Sequence, residues 1–286
     1  MLFRSLETVF PAGLKTGASQ EIRISGSHLE LPGQLRFSRP GITAEPVSSS
    51  PNTYRVTVAS TVPPGPVDVQ FTGVYGTSNP RALLADERPQ LAVNPTNAAP
   101  ESATRLPVET AATFRVQANQ SSWFQFHAAK HQRILVRAMT REIDSKLIPN
   151  LAVYDAQRRE LSRIRRSGLL DFTAPSEGDY LVEVHDQTYR GGDDFACLLL
   201  LTTGPHLDMA VPCILEMGRT NRVALYGRNL PGGERSTVRA ADGRWLERVW
   251  VDLVPPAYEN PEQAAQDLGP NRSEEHTSEL QSRGLI

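Results

Sequence analysis

Apolar residues alternate with polar ones along many short segments of this 286-residue chain, and this pattern constrains the fold more than any other feature. In the segment 53–58, for example, Tyr54, Val56 and Val58 are separated by polar side chains. A period of two places alternate side chains on one face of a β-strand, so each segment can bury one side and expose the other. Turn residues such as Pro63-Pro64-Gly65 separate the segments. Short strands joined in this way predict an all-β fold of antiparallel sandwiches.

Composition narrows the class of protein. Hydrophobic residues make up 39% of the chain and charged residues 22%, which suits packed cores and excludes a disordered chain. A net charge of -2 gives no basic face for nucleic acid, so we predict no nucleic-acid partner. No apolar run is long enough to cross a bilayer, so we predict no membrane span. Residues Met1 to Ser5 lack the apolar region of a signal peptide, so none is predicted in this chain.

Two changes in composition suggest domain boundaries. The polar, proline-bearing stretch Asn94 to Pro107 is typical of a linker, and Gly204-Pro205 follows an apolar strand. We therefore predict tandem sandwiches with a distinct middle domain. The predicted divisions are a sandwich at 1–90, a linker at 91–110, a second sandwich at 111–204, a truncated sandwich at 205–271 and an artefactual tail at 272–286.

A short internal repeat relates the first and third of these segments. Six positions recur without a gap at an offset of 201 residues, and the two copies read Pro11, Gly17, Ile22, Ile24, Gly26 and Leu29, then Pro212, Gly218, Val223, Leu225, Gly227 and Leu230. Glycines before and after an alternating apolar pair are typical of a turn–strand–turn unit. The repeat predicts two copies of one sandwich type on either side of a different middle domain.

The predicted tail has an unusual origin. Residues Arg272 to Ser282 match, letter for letter, one reading frame of a common sequencing adapter. We therefore exclude Arg272 to Ile286 from fold reasoning, as one excludes an expression scar. On this interpretation the chain is a fragment, and we expect the natural protein to continue beyond Asn271.

An ordered set of turns and strands in the middle domain resembles a known family. The segments are Trp123 to Phe126, Asp171 to Pro175, Glu177 to Tyr180, Val182 to Asp186 and Tyr189 to Gly192. Together they resemble the bacterial pre-peptidase C-terminal domain, especially the version in large exported proteins of planctomycete-type bacteria. The resemblance covers roughly residues 113–203. It implies a jelly-roll-like sandwich at 111–204 between an Ig-like sandwich at 1–90 and a truncated Ig-like domain at 205–271. It also implies an extracellular or periplasmic location and a non-catalytic role.

The resemblance also raises calcium binding, because some relatives bind calcium or matrix polymers. Two departures from the family pattern argue against carrying a calcium site over. Gln120 to Ser122 stand where relatives often have acidic residues, and five arginines between Arg158 and Arg166 stand where relatives often have an acidic turn. The candidate carboxylates are Asp144, Asp155, Asp171, Asp186, Asp193 and Asp194. They form no dense calcium loop, and turn aspartates often bond their own backbone instead.

Other reactive residue types also have simpler interpretations. His185 precedes Asp186 at a strand end, but the two point to opposite faces and the sequence lacks a GxSxG nucleophile elbow. The arginine cluster is interpreted as a solvated hairpin face, with binding to a polyanion or an acidic partner as the alternative. Trp123, Phe124 and Phe126 cannot all face one way, so an exposed aromatic is a candidate ligand platform. Cys197 reads as a buried hydrophobe, and a disulfide to Cys213 is left open.

The sequence therefore predicts a protein that is not an enzyme. We predict no catalytic, metal-binding or cofactor-binding residues, and no cofactor. The expected role is binding, adhesion or spacing in the bacterial envelope or exterior, with an unknown protein or polysaccharide as partner. The alternative is an accessory part of a truncated secreted hydrolase, a peptidase, whose catalytic domain is missing.

Overall fold

A computed structural model describes residues 5–29, 33–74, 76–93 and 96–257. Within these ranges the regular structure consists of strands and two three-residue 3-10 helices, Pro100–Ser102 and Arg141–Ile143, so the predicted all-β class is confirmed. The chain divides into two compact units, Met1–Thr203 and Gly204–Ile286. The segment 272–286, predicted to be an artefact, lies outside the described residues.

The first unit begins with a two-sheet sandwich. Its strands are β1 (Ser5–Phe10), β2 (Gly13–Lys15), β3 (Ala18–Ser27), β4 (Gly33–Phe37), β5 (Ile42–Pro46), β6 (Thr53–Val58), β7 (Gly65–Gly73), β8 (Gly76–Thr77) and β9 (Arg81–Asp86). One sheet has the order β1-β3-β6-β5 and the other β2-β9-β7-β4, with β8 paired to β7. Tyr54, Val56 and Val58 all point into the core, as their spacing predicts.

The second sandwich belongs to the same unit. Its strands are β10 (Gln90–Ala92), β11 (Thr104–Arg105), β12 (Thr110–Arg115), β13 (Ser122–Ala128), β14 (Arg133–Met139), β15 (Pro149–Tyr154), β16 (Glu160–Arg165), β17 (Leu169–Thr173), β18 (Gly178–Asp186) and β19 (Ala196–Thr202). The two sheets have the orders β10-β12-β19-β14-β17 and β11-β13-β18-β15-β16. Phe114, Phe124, Phe126 and Phe172 are among the largest side chains of the core between them.

Strand β19 is buried on both faces, which explains its unbroken run of leucines. Leu199 and Leu201 point into the core of the second sandwich. Leu198 and Leu200 point the other way and pack in one cluster with the core residues of the first sandwich. A strand covered on both sides needs apolar residues at every position rather than at alternate ones. The two sandwiches of the first unit therefore share a packed interface.

The segment 91–110, predicted as a linker, differs from that prediction. Its described residues contribute to the second sandwich: β10 pairs in parallel with β12, and β11 pairs in parallel with β13. Leu106 is fully buried in the core. The polar, proline-bearing composition reflects short edge strands and turns, which carry few alternating apolar residues although they are firmly attached.

The second unit contains one four-stranded sheet within the described residues. Its strands are β20 (His206–Val211), β21 (Asn221–Arg228), β22 (Glu234–Arg239) and β23 (Trp245–Leu253), in the order β20-β21-β23-β22. Leu207, Val223 and Leu225 form the centre of its apolar cluster.

The internal repeat corresponds to one local geometry that occurs in both units. Gly26 lies opposite Leu6, and Gly227 lies opposite Leu207, with the same break in register at the next position. A Cβ atom on Gly26 would lie 2.0 Å from the carbonyl oxygen of Ser5, and one on Gly227 would lie 2.1 Å from the carbonyl oxygen of His206 on the preceding strand. Only glycine permits this approach of two backbones. The repeat therefore conserves a β-bulge and its surroundings.

Candidate functional site

Strand β13 sends its aromatic side chains to opposite faces of the second sandwich. Phe124 and Phe126 are fully buried in the core, whereas Trp123 points outward and is half-buried. The prediction that these three residues cannot share one face is therefore confirmed. Trp123 is the aromatic residue of this strand that can contact a ligand.

Trp123 forms a pair with a second aromatic residue on the same face. Its ring centroid lies 5.3 Å from that of Tyr154, with 43° between the ring planes. Trp123 is opposite Glu183 on β18, and Tyr154 is opposite Leu181 on the same strand. The rings therefore meet over the central strand β18, between β13 and β15. We call Trp123, Tyr154, Arg163 and Glu183 the outer aromatic face.

Hydrogen bonds fix this face in place. Glu183 is 8% exposed, and its carboxylate accepts hydrogen bonds from Ser121 Oγ at 2.8 Å and from the Tyr154 hydroxyl at 2.7 Å. Arg163 Nη2 donates to the Tyr154 hydroxyl at 2.7 Å and lies 3.5 Å from Glu183. Burial and the bond to Glu183 raise the pKa of Tyr154, so the phenol stays protonated.

Chain segments beside the outer aromatic face are held to the sheet by hydrogen bonds and an ion pair. The Trp123 amide donates to the Asn97 carbonyl at 2.8 Å, and the Asn97 side chain donates to the Trp123 carbonyl at 2.9 Å. Glu101 precedes β11 at one edge of the sheet, and it forms an ion pair with Arg158 in the turn between β15 and β16. This pair links segments from the two sides of the sheet.

The arginine cluster divides into paired and unpaired members. Arg158 pairs with Glu101, Arg159 with Asp155 and Arg163 with Glu160. Arg165 and Arg166 are exposed and have no ion-pair partner among the described residues. Most of the cluster therefore forms the solvated, internally neutralised hairpin face that the sequence favours.

The candidate calcium carboxylates do not converge. Asp186 is fully buried and accepts the amide hydrogens of Ile148, Thr188 and Arg190. Although burial raises its pKa, these hydrogen bonds outweigh burial and lower the pKa below its usual value. Asp193 instead forms an ion pair with Arg115 at 3.4 Å, and Asp194 forms one with Lys146 at 2.6 Å. The partners of the remaining three are Ala82 N for Asp144, Arg159 for Asp155 and Arg133 for Asp171.

These carboxylates therefore fix turns and neighbouring strands. Within the ranges that the structure describes, no group of three or more His, Cys, Asp or Glu side chains is arranged to hold a metal ion.

His185 contributes to packing. Its side chain is buried, its Nδ1 lies 2.8 Å from the carbonyl oxygen of Asp186, and its ring stacks on Tyr189 at 4.3 Å. A catalytic triad requires a carboxylate to orient the histidine, and here a backbone carbonyl has that position.

The two cysteines are free thiols. Cys197 lies in the core, where burial raises its pKa, and Cys213 is exposed. The disulfide that the sequence left open is absent from the described residues.

Sequence reasoning singled out Trp123 but missed Tyr154 and Glu183. The signal was present in β18, where Leu181, Glu183 and His185 occupy the positions that alternate with the core residues. A glutamate between two apolar core positions on a central strand marks the outward face. Its near-complete burial depends on the rings from neighbouring strands, which the sequence does not reveal.

Comparisons with known proteins give a partial family match. Residues 4–78, about a quarter of the chain, match the family described as quinohemoprotein amine dehydrogenase, alpha subunit domain III. This segment corresponds to most of the first sandwich. No curated protein matches the chain.

Among solved structures, the chain is similar to several proteins of low sequence identity. The pre-peptidase C-terminal domain of a collagenase from Bacillus anthracis is 15% identical, with 41% of this chain and 99% of that chain covered and a TM-score of 0.28. PliG of Aeromonas hydrophila, a periplasmic inhibitor of g-type lysozyme, is 14% identical, with 39% and 98% covered and a TM-score of 0.27.

SGBP-B from the mixed-linkage glucan utilization locus of Bacteroides ovatus, solved with a heptasaccharide, is 13% identical, with 70% and 48% covered and a TM-score of 0.26. A pre-peptidase C-terminal domain is thus among the similar structures. The planctomycete type stays a prediction. None of the described helices is long and apolar enough to span a membrane.

Proposed function

We propose that this chain is a non-catalytic binding module of the bacterial envelope or exterior, and that its outer aromatic face binds a polysaccharide. The observation that carries the proposal is the Trp123–Tyr154 pair, held over β18 by Glu183 and Arg163. Aromatic rings offer large apolar contact areas with a polar edge, which suits the mixed apolar and hydroxylated faces of sugars.

The rigidity of this face supports a binding role. Tyr154 and Glu183 are hydrogen-bonded to each other, and Asn97 fixes the backbone of Trp123 on both sides. Side chains that are already ordered lose little conformational entropy when a ligand binds. A polymer lying across the sheet would therefore meet a preformed surface.

An exterior location is supported by the resemblance of residues 113–203 to a domain of exported proteins. The same resemblance favours a second candidate function, an accessory part of a secreted peptidase. In that case the outer aromatic face would bind the peptidase's polymeric substrate, here a protein.

The test is binding of the purified chain to a panel of insoluble polysaccharides and to fibrous collagen. We expect retention on at least one polysaccharide, and at least about tenfold weaker binding for Trp123→Ala. Trp245→Ala is the matched control, because Trp245 is an exposed tryptophan of the second unit, and it should bind as the wild type does.

Equal binding by the Trp123→Ala and wild-type chains would refute the assignment of this face. Trp123-dependent retention on collagen alone would replace the polysaccharide with a protein partner. Release of soluble fragments from a retained polymer by the purified chain would overturn the non-catalytic role.

A further inference from the structure

A separate cleft of about 670 Å³ lies at one end of the second sandwich. Its walls come from the end of β14, the 3-10 helix Arg141–Ile143, the start of β15 and the turn between β16 and β17. This volume is within the range of pockets that hold small organic ligands. None of the residues of the outer aromatic face lines it.

The wall formed by the β16–β17 turn has a defined position. A Cβ atom on Gly168 would lie 2.5 Å from the Ala138 carbonyl oxygen, so glycine lets this turn approach β14 closely. The Ala138 amide donates to the Gly168 carbonyl at 2.7 Å. The Arg166 amide donates to the side chain of buried Asn150 at 3.2 Å. The backbone that carries Arg166 is therefore held from two sides.

Arg166 also has an unusual backbone conformation for its residue type. Its φ is 59°, in the left-handed region where glycine and asparagine are the residues of lowest cost. An arginine at this position costs on the order of 1 kcal/mol in backbone energy, as it does at Arg158 in the preceding turn, where φ is 62°.

Two cationic side chains at this cleft lack an ion-pair partner. Arg141 and Arg166 both line it and are exposed, and neither forms an ion pair within the described part of the chain. The one acidic side chain of the wall, Glu142, accepts the Thr140 amide at 3.1 Å. Ile148, which is 42% exposed, and buried Leu147 form the apolar part of the cleft wall.

We propose that this cleft binds a carboxylate-bearing ligand of about disaccharide size, with Arg141 and Arg166 binding the carboxylate and Ile148 contacting the ligand body. Planar guanidinium groups bind carboxylates through two parallel hydrogen bonds, which makes arginine well suited to this ligand class. A uronic acid residue of an acidic polysaccharide and a small free organic acid share this chemistry.

The test uses galacturonic acid, trigalacturonic acid and glucose as probes, with binding to the whole chain measured by calorimetry at low salt. We expect both acids to bind and glucose not to bind. Arg141→Ala/Arg166→Ala should weaken acid binding by at least about tenfold. Arg165→Ala is the matched control, since it removes the same charge from an exposed neighbour outside the cleft, and it should change affinity less than about twofold.

Tighter binding of the trimer than of the monomer would identify a polymer as the source of the carboxylate, and equal affinities would identify a small free acid. Equal losses in Arg165→Ala and in the double variant would overturn the proposal, because general charge attraction would then explain binding. Failure of both acids to bind the wild-type chain would also overturn it.

Two further measurements separate this proposal from folding defects and from the outer aromatic face. Both arginines are exposed, so the melting temperature of the double variant should equal that of the wild type within about 2 °C. Trp123→Ala should retain acid binding at the cleft even though its binding to the insoluble polysaccharide is weakened.

Discussion

Truncation of Leu200 tests whether the two sandwiches of the first unit stabilise each other. Leu200 is 1% exposed and belongs to the same apolar cluster as the core of the first sandwich. Its neighbour Leu198 shows the closeness of this packing, because a Cβ atom on Gly13 of β2 would lie 3.0 Å from its Cδ1. Leu200→Ala should therefore destabilise both sandwiches although it lies in a strand of only one.

The expected magnitude follows from the atoms removed. Leu→Ala removes three carbon atoms, which corresponds to roughly 2.4 kcal/mol at about 0.8 kcal/mol per buried methylene. The cavity left between two packed sheets brings the loss to about 2–5 kcal/mol. For a unit of this size the melting temperature should fall by about 5–15 °C.

Hydrogen exchange measured by mass spectrometry distinguishes the affected strands. Leu200→Ala should reduce protection in β9 of the first sandwich and in β12 of the second, and should leave β21 of the second unit unchanged. Leu161→Ala is the control, because Leu161 on β16 is 39% exposed and its truncation should cost less than about 0.5 kcal/mol. Equal small losses of stability in both variants would show that the shared interface does not stabilise the unit.

Three other substitutions or modifications test single features of the structure. Asp186 has a lowered pKa, so its carboxylate stabilises the fold at pH values above the usual pKa of 3.8, and this contribution is lost as the pH falls through the lowered pKa of the folded state. Asp186→Asn should lower the free energy of unfolding by about 2–4 kcal/mol at pH 7. Between pH 2 and 5, the urea midpoint of this variant should change less with pH than that of the wild type. A thiol reagent should modify Cys213 in the native chain and Cys197 only after denaturation. Rapid modification of both thiols in the native chain would contradict the burial of Cys197. The buried side-chain amide of Gln90 has no hydrogen-bond partner among the described residues, so Gln90→Leu should raise the free energy of unfolding by about 1 kcal/mol in chemical denaturation, and a loss of stability would show that the amide is satisfied.

Periodicity predicted the class of fold because a strand with one buried face has apolar and polar residues in alternation. Tyr54, Val56 and Val58 illustrate this relation in β6, which has one buried face. It fails for β19, where Leu198 to Leu201 face two different cores, and a run of leucines does not show which side chain faces which core. Burial on two faces depends on how sandwiches pack, which is a property of tertiary structure.

The candidate site was predictable only in part for a related reason. The alternation in β13 shows that Trp123 opposes Phe124, so an outward aromatic residue follows from the sequence alone. Its contact with Tyr154 requires the order β13-β18-β15, which joins strands distant in sequence. The cleft was not predicted either, because Arg141 and Arg166 come from separate turns that meet only when β14 and β17 pair.

The two copies of the repeat show that backbone geometry and surface chemistry are determined by different residues. Both copies keep the bulge glycines and the apolar residues of the core-facing side. On the outward side, the first copy has a hydroxyl pair, with Thr8 Oγ1 2.6 Å from Ser25 Oγ. At the corresponding positions of the second copy, Met209 is instead opposite Tyr226, an apolar and aromatic pair. Because outward residues change without altering the strands beneath them, the same sandwich can carry different binding surfaces, and the function of each module must be sought on its outer faces and end clefts.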